Sequence, residues 1–255
     1  MEMVLLPAFW VGLGKIIWVN LLLSGDNAVV IALASRSLPP QQQKKAIFWG
    51  SAAAVIMRVV LTIFAVALLT LPWLKIVGGA LLLWIGVKLL APDEGSEEVA
   101  SSDNLWQAVK TILIADLVMS LDNVLAVAAA ADSAAPTAEL AAMKYTLLVL
   151  GLAISIPIVI FGSTLMLKLM ERWPVIITLG GALLGWIAGE MMVTDPAIEA
   201  WVEHNAAWLE TWRVAAIAGA VIVYVVGTLI GKRRAMKAAV HEAVVEVGEG
   251  RQKSP

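Results

Sequence analysis

The chain has 255 residues, of which 60% are hydrophobic, and its mean hydropathy is +0.87. This composition lies outside the range of water-soluble globular domains and is typical of an integral membrane protein. The net charge of −2 therefore says nothing about partners, and the absence of cysteine excludes disulfides and thiolate metal sites. The two histidines, His204 and His241, fall in a predicted loop and a predicted tail, which disfavours a buried zinc or copper site.

Apolar runs long enough to cross a bilayer, about 20 residues each, predict seven transmembrane helices. In chain order they lie near 10–34, 46–71, 74–91, 107–131, 143–166, 174–193 and 212–231. The first run is not a cleaved signal peptide, because it lacks a basic N-terminal region and contains Asp26. The prediction is an all-α polytopic membrane protein with a transmembrane domain over 1–231 and a disordered cytoplasmic tail over 232–255.

The distribution of Lys and Arg predicts the orientation in the membrane. The C-terminal tail and the loops on its side carry most of these residues, whereas the other side carries Lys15, Lys75, Lys144 and Arg213. The loop 193–211 contains four acids, Asp195 among them, and no Lys or Arg before Trp212. We therefore expect the N-terminus outside and the C-terminus in the cytoplasm.

Two eight-residue motifs in the first and fourth apolar runs match each other. The first is Asn20-Leu-Leu-Leu-Ser-Gly-Asp-Asn27, and the second is Asp116-Leu-Val-Met-Ser-Leu-Asp-Asn123. An ionisable residue in the middle of a membrane helix costs roughly 2.5–3.5 kcal/mol on insertion scales and usually has a functional role. A carboxylate repeated at the same motif position, as Asp26 and Asp122, therefore indicates cation transport.

A second pair of matching segments extends the duplication. Gly78-Gly-Ala-Leu-Leu-Leu-Trp-Ile85 and Gly180-Gly-Ala-Leu-Leu-Gly-Trp-Ile187 differ at one position of eight. Repeat one covers 10–91, repeat two covers 107–193, and the helix at 212–231 is extra. Because each repeat has three crossings, the second must enter the membrane from the opposite side. The sequence thus predicts an inverted 3+3 repeat, with a site near the midplane where the repeats meet.

The donor set of the motifs indicates the kind of ion. Carboxylate, amide and hydroxyl oxygens suit Mg²⁺, Ca²⁺ or Mn²⁺, and the three aspartates could also carry protons. On a continuous helix Asn20, Ser24 and Asn27 share one face, as do Asp116, Ser120 and Asn123, while the last Asp of each motif lies about 100° away. Either that Asp faces another helix, or the helix unwinds. Ser24-Gly25 favours unwinding in copy one, and Leu121 favours it less in copy two.

Two charged residues outside the motifs are candidate supporting residues. Arg58 lies in the middle of the second span, so we expect it to pair with one of the buried aspartates and to keep the empty site near neutral. Lys88 and Glu190 hold matching places near the ends of the third and sixth spans. Both are typical helix-end residues, and Glu190 is also a candidate for contact with the site or a gate.

The paired motifs and the repeated Gly-Gly-Ala segment resemble the TerC family of integral membrane proteins, in its YjbE-like branch, over about 10–231. The resemblance implies a seven-helix fold of the LysE-type transporter superfamily and export of a divalent cation, chiefly Mn²⁺, across the cell membrane. Carried over by position, it implies Asp26, Asn27, Asp122 and Asn123 as metal ligands, with Asn20 and Asp116 beside them and with Ser24 and Ser120 as supporting residues.

The sequence leaves several alternatives open. Export by alternating access with proton exchange, a channel, and a Ca²⁺ or Mg²⁺ transporter all fit the same donors. A membrane-protein assembly or scaffold factor is the alternative from another class, because Asn and Ser also hold membrane helices together. We expect a metal-ion substrate and the lipid bilayer as partners, no nucleic acid and no resident cofactor. No nucleophile–base pair or cofactor motif lies in the spans, so we expect no enzyme activity.

Overall fold

The computed structural model describes residues 7–64, 71–91, 102–134, 144–211 and 213–252, and the regular structure in these ranges is entirely helical. In chain order the helices are α1 (Pro7–Leu22), α2 (Gly25–Ser35), α3 (Pro40–Ile63), α4 (Leu74–Leu90), α5 (Ser102–Ala134), α6 (Lys144–Arg172), α7 (Val175–Val193), α8 (Glu199–Asn205), α9 (Trp208–Thr211) and α10 (Val214–Gln252). The all-α class predicted from the sequence is confirmed. The acidic stretch 93–103, between α4 and the first turn of α5, lies mostly outside the described residues.

Several of these helices are long and apolar enough to cross a bilayer. In the part of the chain that the structure describes, α3, α6, α7 and α10 qualify individually, and the bent pair α1–α2 qualifies as a fifth when its two helices are counted together. The seven predicted spans also include α4 and α5. However, α4 has only 17 residues, and α5 carries Lys110, Asp116 and Asp122 along its length. The protein is therefore an all-helical, multi-pass membrane protein.

The first span is broken inside the first motif. Helix α1 ends at Leu22, α2 begins at Gly25, and their axes differ by 50°. Ser24, between them, has non-helical dihedral angles of φ −110° and ψ 1°. In the second motif α5 continues without a break, with Leu121 in place of the glycine. The break predicted at Ser24-Gly25 is confirmed, and the two motif copies differ in backbone conformation.

The C-terminal segment differs from the prediction of a disordered tail. Helix α10 passes the predicted membrane boundary at 231 and continues to Gln252. The physical reason is composition, because four of the residues in 235–247 are alanine, the strongest helix former, and the segment contains neither glycine nor proline.

Small residues bring α4, α7 and α10 close together. The carbonyl oxygens of Gly219 and Ala215, on α10, occupy the space where a Cβ would stand on Gly185 and Gly189 of α7. A Cβ on Gly79 of α4 would lie 2.8 Å from the carbonyl oxygen of Ala188. Gly181, Gly185 and Gly189, spaced four residues apart on α7, thus lie where neighbouring helices approach closely, and glycine is required where one backbone meets another.

Substitution of Gly189 by alanine is therefore expected to lower the free energy of unfolding by at least about 1–3 kcal/mol, because a backbone carbonyl cannot move aside. The matched control is Gly14→Ala on α1, where an added Cβ meets no atom within 4 Å. That change should be neutral or stabilising by about 0.5–1 kcal/mol, from helix propensity. Tryptophan fluorescence during unfolding in detergent micelles measures both, and equal effects of the two substitutions would contradict the packing described.

Asp195 joins the two halves of the molecule at the end where α4 begins. It is fully buried in the turn after α7. Its carboxylate accepts hydrogen bonds from the backbone N–H groups of Trp73 (2.8 Å), Lys75 (2.9 Å), Ile76 (3.1 Å) and Ala197 (2.8 Å). Burial alone raises the pKa of this carboxyl, but the four hydrogen bonds outweigh it and hold the pKa below its ordinary value. The sequence had placed Asp195 only in an acidic outside loop.

Asp195→Asn is expected to destabilise the protein by roughly 2–4 kcal/mol at neutral pH, because it removes the charge that strengthens these hydrogen bonds. The folded-state pKa is depressed, so the contribution is present above the unfolded-state pKa of about 3.9 and is lost as pH falls through the folded-state value. Unfolding free energies measured from pH 7 downward should converge for the two proteins in acid. The exposed acid Glu203, changed to Gln, is the control.

Candidate functional site

Arg58 of α3 lies at the centre of a buried polar cluster and is 3% exposed. Its Nη1 donates to Asn20 Oδ1 at 2.9 Å and to Ser24 Oγ at 3.2 Å. Its Nε donates to Ser120 Oγ at 3.1 Å, and its Nη2 forms an ion pair with the carboxylate of Asp116. The predicted pairing of Arg58 with a buried aspartate is confirmed. We call these five residues the arginine cluster.

The arginine cluster joins matching positions of the two motifs. Asn20 and Ser24 of copy one correspond to Asp116 and Ser120 of copy two, and one guanidinium contacts all four side chains. Within copy two, Ser120 Oγ also donates to Asp116 Oδ2 at 3.2 Å. A guanidinium offers five N–H donors and needs acceptors when it is buried, which explains why polar groups converge on this point in an apolar bundle.

This arrangement constrains Asn20 and Asp116 as metal ligands. Asn20 Oδ1 accepts from Arg58, and its Nδ2 is buried without a hydrogen-bond partner among the described residues. The charge of Asp116 is already balanced by Arg58. Both residues therefore act, in this conformation, as partners of the arginine, and neither adds net negative charge to a cation site.

The motif asparagines meet at the break between α1 and α2. The carbonyl oxygen of Leu23 accepts from Asn27 Nδ2 and from Asn123 Nδ2, both at 3.2 Å. In a continuous helix this carbonyl would accept from the backbone N–H of Asn27, which donates instead to Asp26 Oδ1 at 2.8 Å. The break thus frees a carbonyl that orients both amide side chains. Sequence reasoning missed Leu23, because the acceptor is a backbone atom whose release depends on the break.

Fixing the Nδ2 of Asn27 leaves its carbonyl oxygen available. Asn27 is 3% exposed, and its Oδ1 has no hydrogen-bond partner within the described part of the chain. The half-buried Asp26 carboxylate is its neighbour and lies within electrostatic range of Arg58 and Asp116. An unsatisfied buried amide oxygen beside a carboxylate outside the ion pair is a donor arrangement suited to a hard cation.

The second carboxylate of the predicted site, Asp122, precedes Asn123 on α5, and its side chain lies outside the described residues. Among the side chains that the structure describes, no three His, Cys, Asp or Glu residues form a group that could hold a metal ion. The donor set that is described consists of one carboxylate and amide oxygens, and it lacks the ligands of a tight resident metal site.

The structure does not bring Glu190 to the arginine cluster. This exposed residue near the end of α7 forms an ion pair with Arg213, whose guanidinium lies 5.9 Å from the Trp186 ring centroid. Both charged residues line a cavity of about 520 Å³, together with Lys75 and Thr194. Glu190 therefore occupies the end of the molecule at which Asp195 caps α4, away from the two motifs.

Comparison with known proteins gives three findings. Residues 5–237 match the model of the "Integral membrane protein TerC family". The chain is 42% identical over 197 residues to the uncharacterised membrane protein YjbE of Bacillus subtilis (strain 168), covering 77% of this chain and 86% of that protein. It is 26% identical over 195 residues to the uncharacterised membrane protein YceF of the same organism, covering 72% of each. No solved structure matches the chain.

Proposed function

The chain belongs to the TerC family of integral membrane proteins, and we propose that it exports a divalent metal cation, with Mn²⁺ as the main substrate. The observation that carries the proposal is the buried, unpartnered Oδ1 of Asn27, the residue that follows Asp26, at a helix break inside a membrane span. Irregular backbone at membrane depth is stable only where protein or a water-filled cavity surrounds it. Transporters use such breaks to bind ions.

The ion would be bound by oxygen atoms from both motifs. In this proposal Asp26 and Asn27 form one half-site, and Asp122 and Asn123 form the other. The two carboxylates offset the charge of a divalent ion, because Arg58 already balances the third aspartate, Asp116. Protonation of Asp26 and Asp122 would release the metal, which makes exchange of metal for protons chemically consistent.

The proposal includes seven spans and an inverted repeat, with the N-terminus outside and the C-terminus in the cytoplasm of the cell. The helix contacts support this symmetry. In the inverted repeat, α1–α2 corresponds to α5, α3 to α6, and α4 to α7. Packing of α1 and α2 on α6 is then the counterpart of packing of α5 on α3. Both contacts occur. Helices α4 and α7, which correspond to each other, also pack together. Rocking of the repeats would expose the site alternately to the two sides.

A flux assay in proteoliposomes tests the proposal. Purified protein is reconstituted and offered Mn²⁺, Ca²⁺ and Mg²⁺ separately, with and without a pH gradient. Saturable Mn²⁺ flux that a proton gradient accelerates is the expected result. Saturable flux of Ca²⁺ or Mg²⁺ alone would support transport but reject the ion assigned. Protein-free vesicles and the Gly14→Ala variant are the controls.

The arginine cluster also supports a second candidate, a scaffold factor that assists assembly of other membrane proteins. Its polar groups bond helices α1, α3 and α5 together, as a purely structural network would. That role does not explain the unpartnered oxygen of Asn27. Absence of flux for every ion in the panel, with the protein folded, would favour the scaffold role over transport.

A further inference from the structure

A cavity of about 230 Å³ lies where α2 and α4 end and α5 begins, at the opposite end of α4 from Asp195. Its lining combines apolar, uncharged polar and cationic side chains. They are Leu33, Ala34, Arg36, Ser37, Leu38, Lys88, Leu89, Asn104, Gln107, Ala108 and Thr111. Since α2 and α4 end and α5 begins here, we expect the cavity near the level of the membrane surface.

The charged groups of this cavity are all cationic. Arg36 and Lys88 line it, and no Asp or Glu is among the lining residues. Arg36 Nη2 donates to the carbonyl oxygen of Leu89 at 2.8 Å, which is the single acceptor that the described residues provide for its five N–H donors. Burial lowers the pKa of Arg36. Among the described residues the guanidinium is partly desolvated and forms no ion pair with a carboxylate.

Helix α5 contributes uncharged polar side chains to the same cavity. Asn104, Gln107 and Thr111 stand on one face of its first turns, at spacings of three and four residues, and the Thr111 hydroxyl donates to the carbonyl oxygen of Gln107 at 2.9 Å. The N-terminal end of a helix carries partial positive charge, so these turns add to the potential of Arg36 and Lys88. The apolar Leu33 and Leu38 are also among the lining residues.

We propose that this cavity binds a phosphate group, carried by an anionic membrane lipid or present as free phosphate. A phosphate oxygen fits the unused N–H donors of Arg36, and Lys88 supplies a second positive charge. Basic pockets between membrane helices at the level of the headgroups bind anionic lipids in this way. The inference does not depend on metal transport.

Thermal stability of the purified protein in detergent tests this binding. Phosphatidylglycerol, phosphatidylcholine and inorganic phosphate are titrated separately, and unfolding is followed by tryptophan fluorescence. The test variant is Arg36→Gln/Lys88→Gln. The control is Lys44→Gln/Lys45→Gln, which removes two exposed charges from the first turns of α3 without touching the cavity. Phosphatidylglycerol should raise the midpoint, and the test variant should bind it at least about tenfold more weakly.

The three titrations separate the sources of phosphate. Stabilisation by phosphatidylglycerol but not by inorganic phosphate assigns a lipid headgroup, and stabilisation by inorganic phosphate assigns recognition of the free anion. Equal stabilisation by phosphatidylcholine and phosphatidylglycerol, or equal loss of binding in the test and control variants, would overturn the proposal. If the test variant does not fold, Arg36→Lys is used in its place. This change keeps the charge and removes the planar donors, so it should also weaken binding of the phosphate group.

Discussion

Arg58→Gln is expected to lower the free energy of unfolding by roughly 3–5 kcal/mol, because it leaves the carboxylate of Asp116 buried without its counter-ion. The same change removes the donors that Asn20, Ser24 and Ser120 share. Four buried side chains from the two motifs would then each lose a hydrogen-bond donor, and unsatisfied buried polar groups are costly. Unfolding in mixed detergent micelles, followed by tryptophan fluorescence, measures the effect.

The double variant Arg58→Gln/Asp116→Asn distinguishes the contribution of the charges to stability from the contribution of arginine packing. It replaces both charges by amides and makes the second motif identical to the first at that position, where Asn20 stands. If the single change is costly mainly through the uncompensated carboxylate, the double variant should recover at least half of the lost stability. A double variant as unstable as the single one would show that packing of the arginine side chain, and not its charge, stabilises the cluster.

The arginine cluster shows how far sequence reasoning reaches in a membrane protein. A charge in the middle of an apolar span must find a partner, so pairing of Arg58 with an aspartate was predictable from position alone. The choice of Asp116 over Asp26 was not, because it depends on how α3 is rotated and where it crosses α5. Helical periodicity correctly placed Asn20 and Ser24 on one face. Asn27 departs from that face, because the helix breaks before it.

Contacts between distant backbone segments were the least predictable features. Asp195 accepts hydrogen bonds from residues about 120 positions earlier in the chain, and no local pattern marks the start of α4 as its target. The glycines of α4 and α7 did indicate where helices pack, since small residues repeated along one face of a membrane helix favour close approach of a neighbouring helix. The hydrogen bond from Asn123 to the Leu23 carbonyl was not predictable from the sequence either. It depends both on the helix break and on where α1–α2 crosses α5.

Asp26→Asn is expected to reduce Mn²⁺ flux in proteoliposomes by at least about tenfold. Even the loss of a residue that hydrogen-bonds to a metal ligand typically costs about 10–100-fold. The amide has the shape of the carboxylate, and its oxygen can still accept from the backbone N–H of Asn27. It lacks the negative charge that would offset a divalent ion. The unfolding free energy should therefore stay within about 0.5 kcal/mol of the parent while flux is lost.

This combination distinguishes transport from a structural role, because a residue that only holds helices together would change stability and activity in parallel. Glu203→Gln, the same acid-to-amide change on the exposed surface of α8, is the matched control and should leave flux unchanged. Asn27→Ala tests the neighbouring donor. It removes the unpartnered oxygen and one of the two amides that donate to the Leu23 carbonyl. We therefore expect weaker Mn²⁺ binding, seen as a higher Mn²⁺ concentration for half-maximal flux. Parental flux in both Asp26→Asn and Asn27→Ala would exclude the first motif as the ion site, since Asp26 is the one carboxylate in the sequence of that motif.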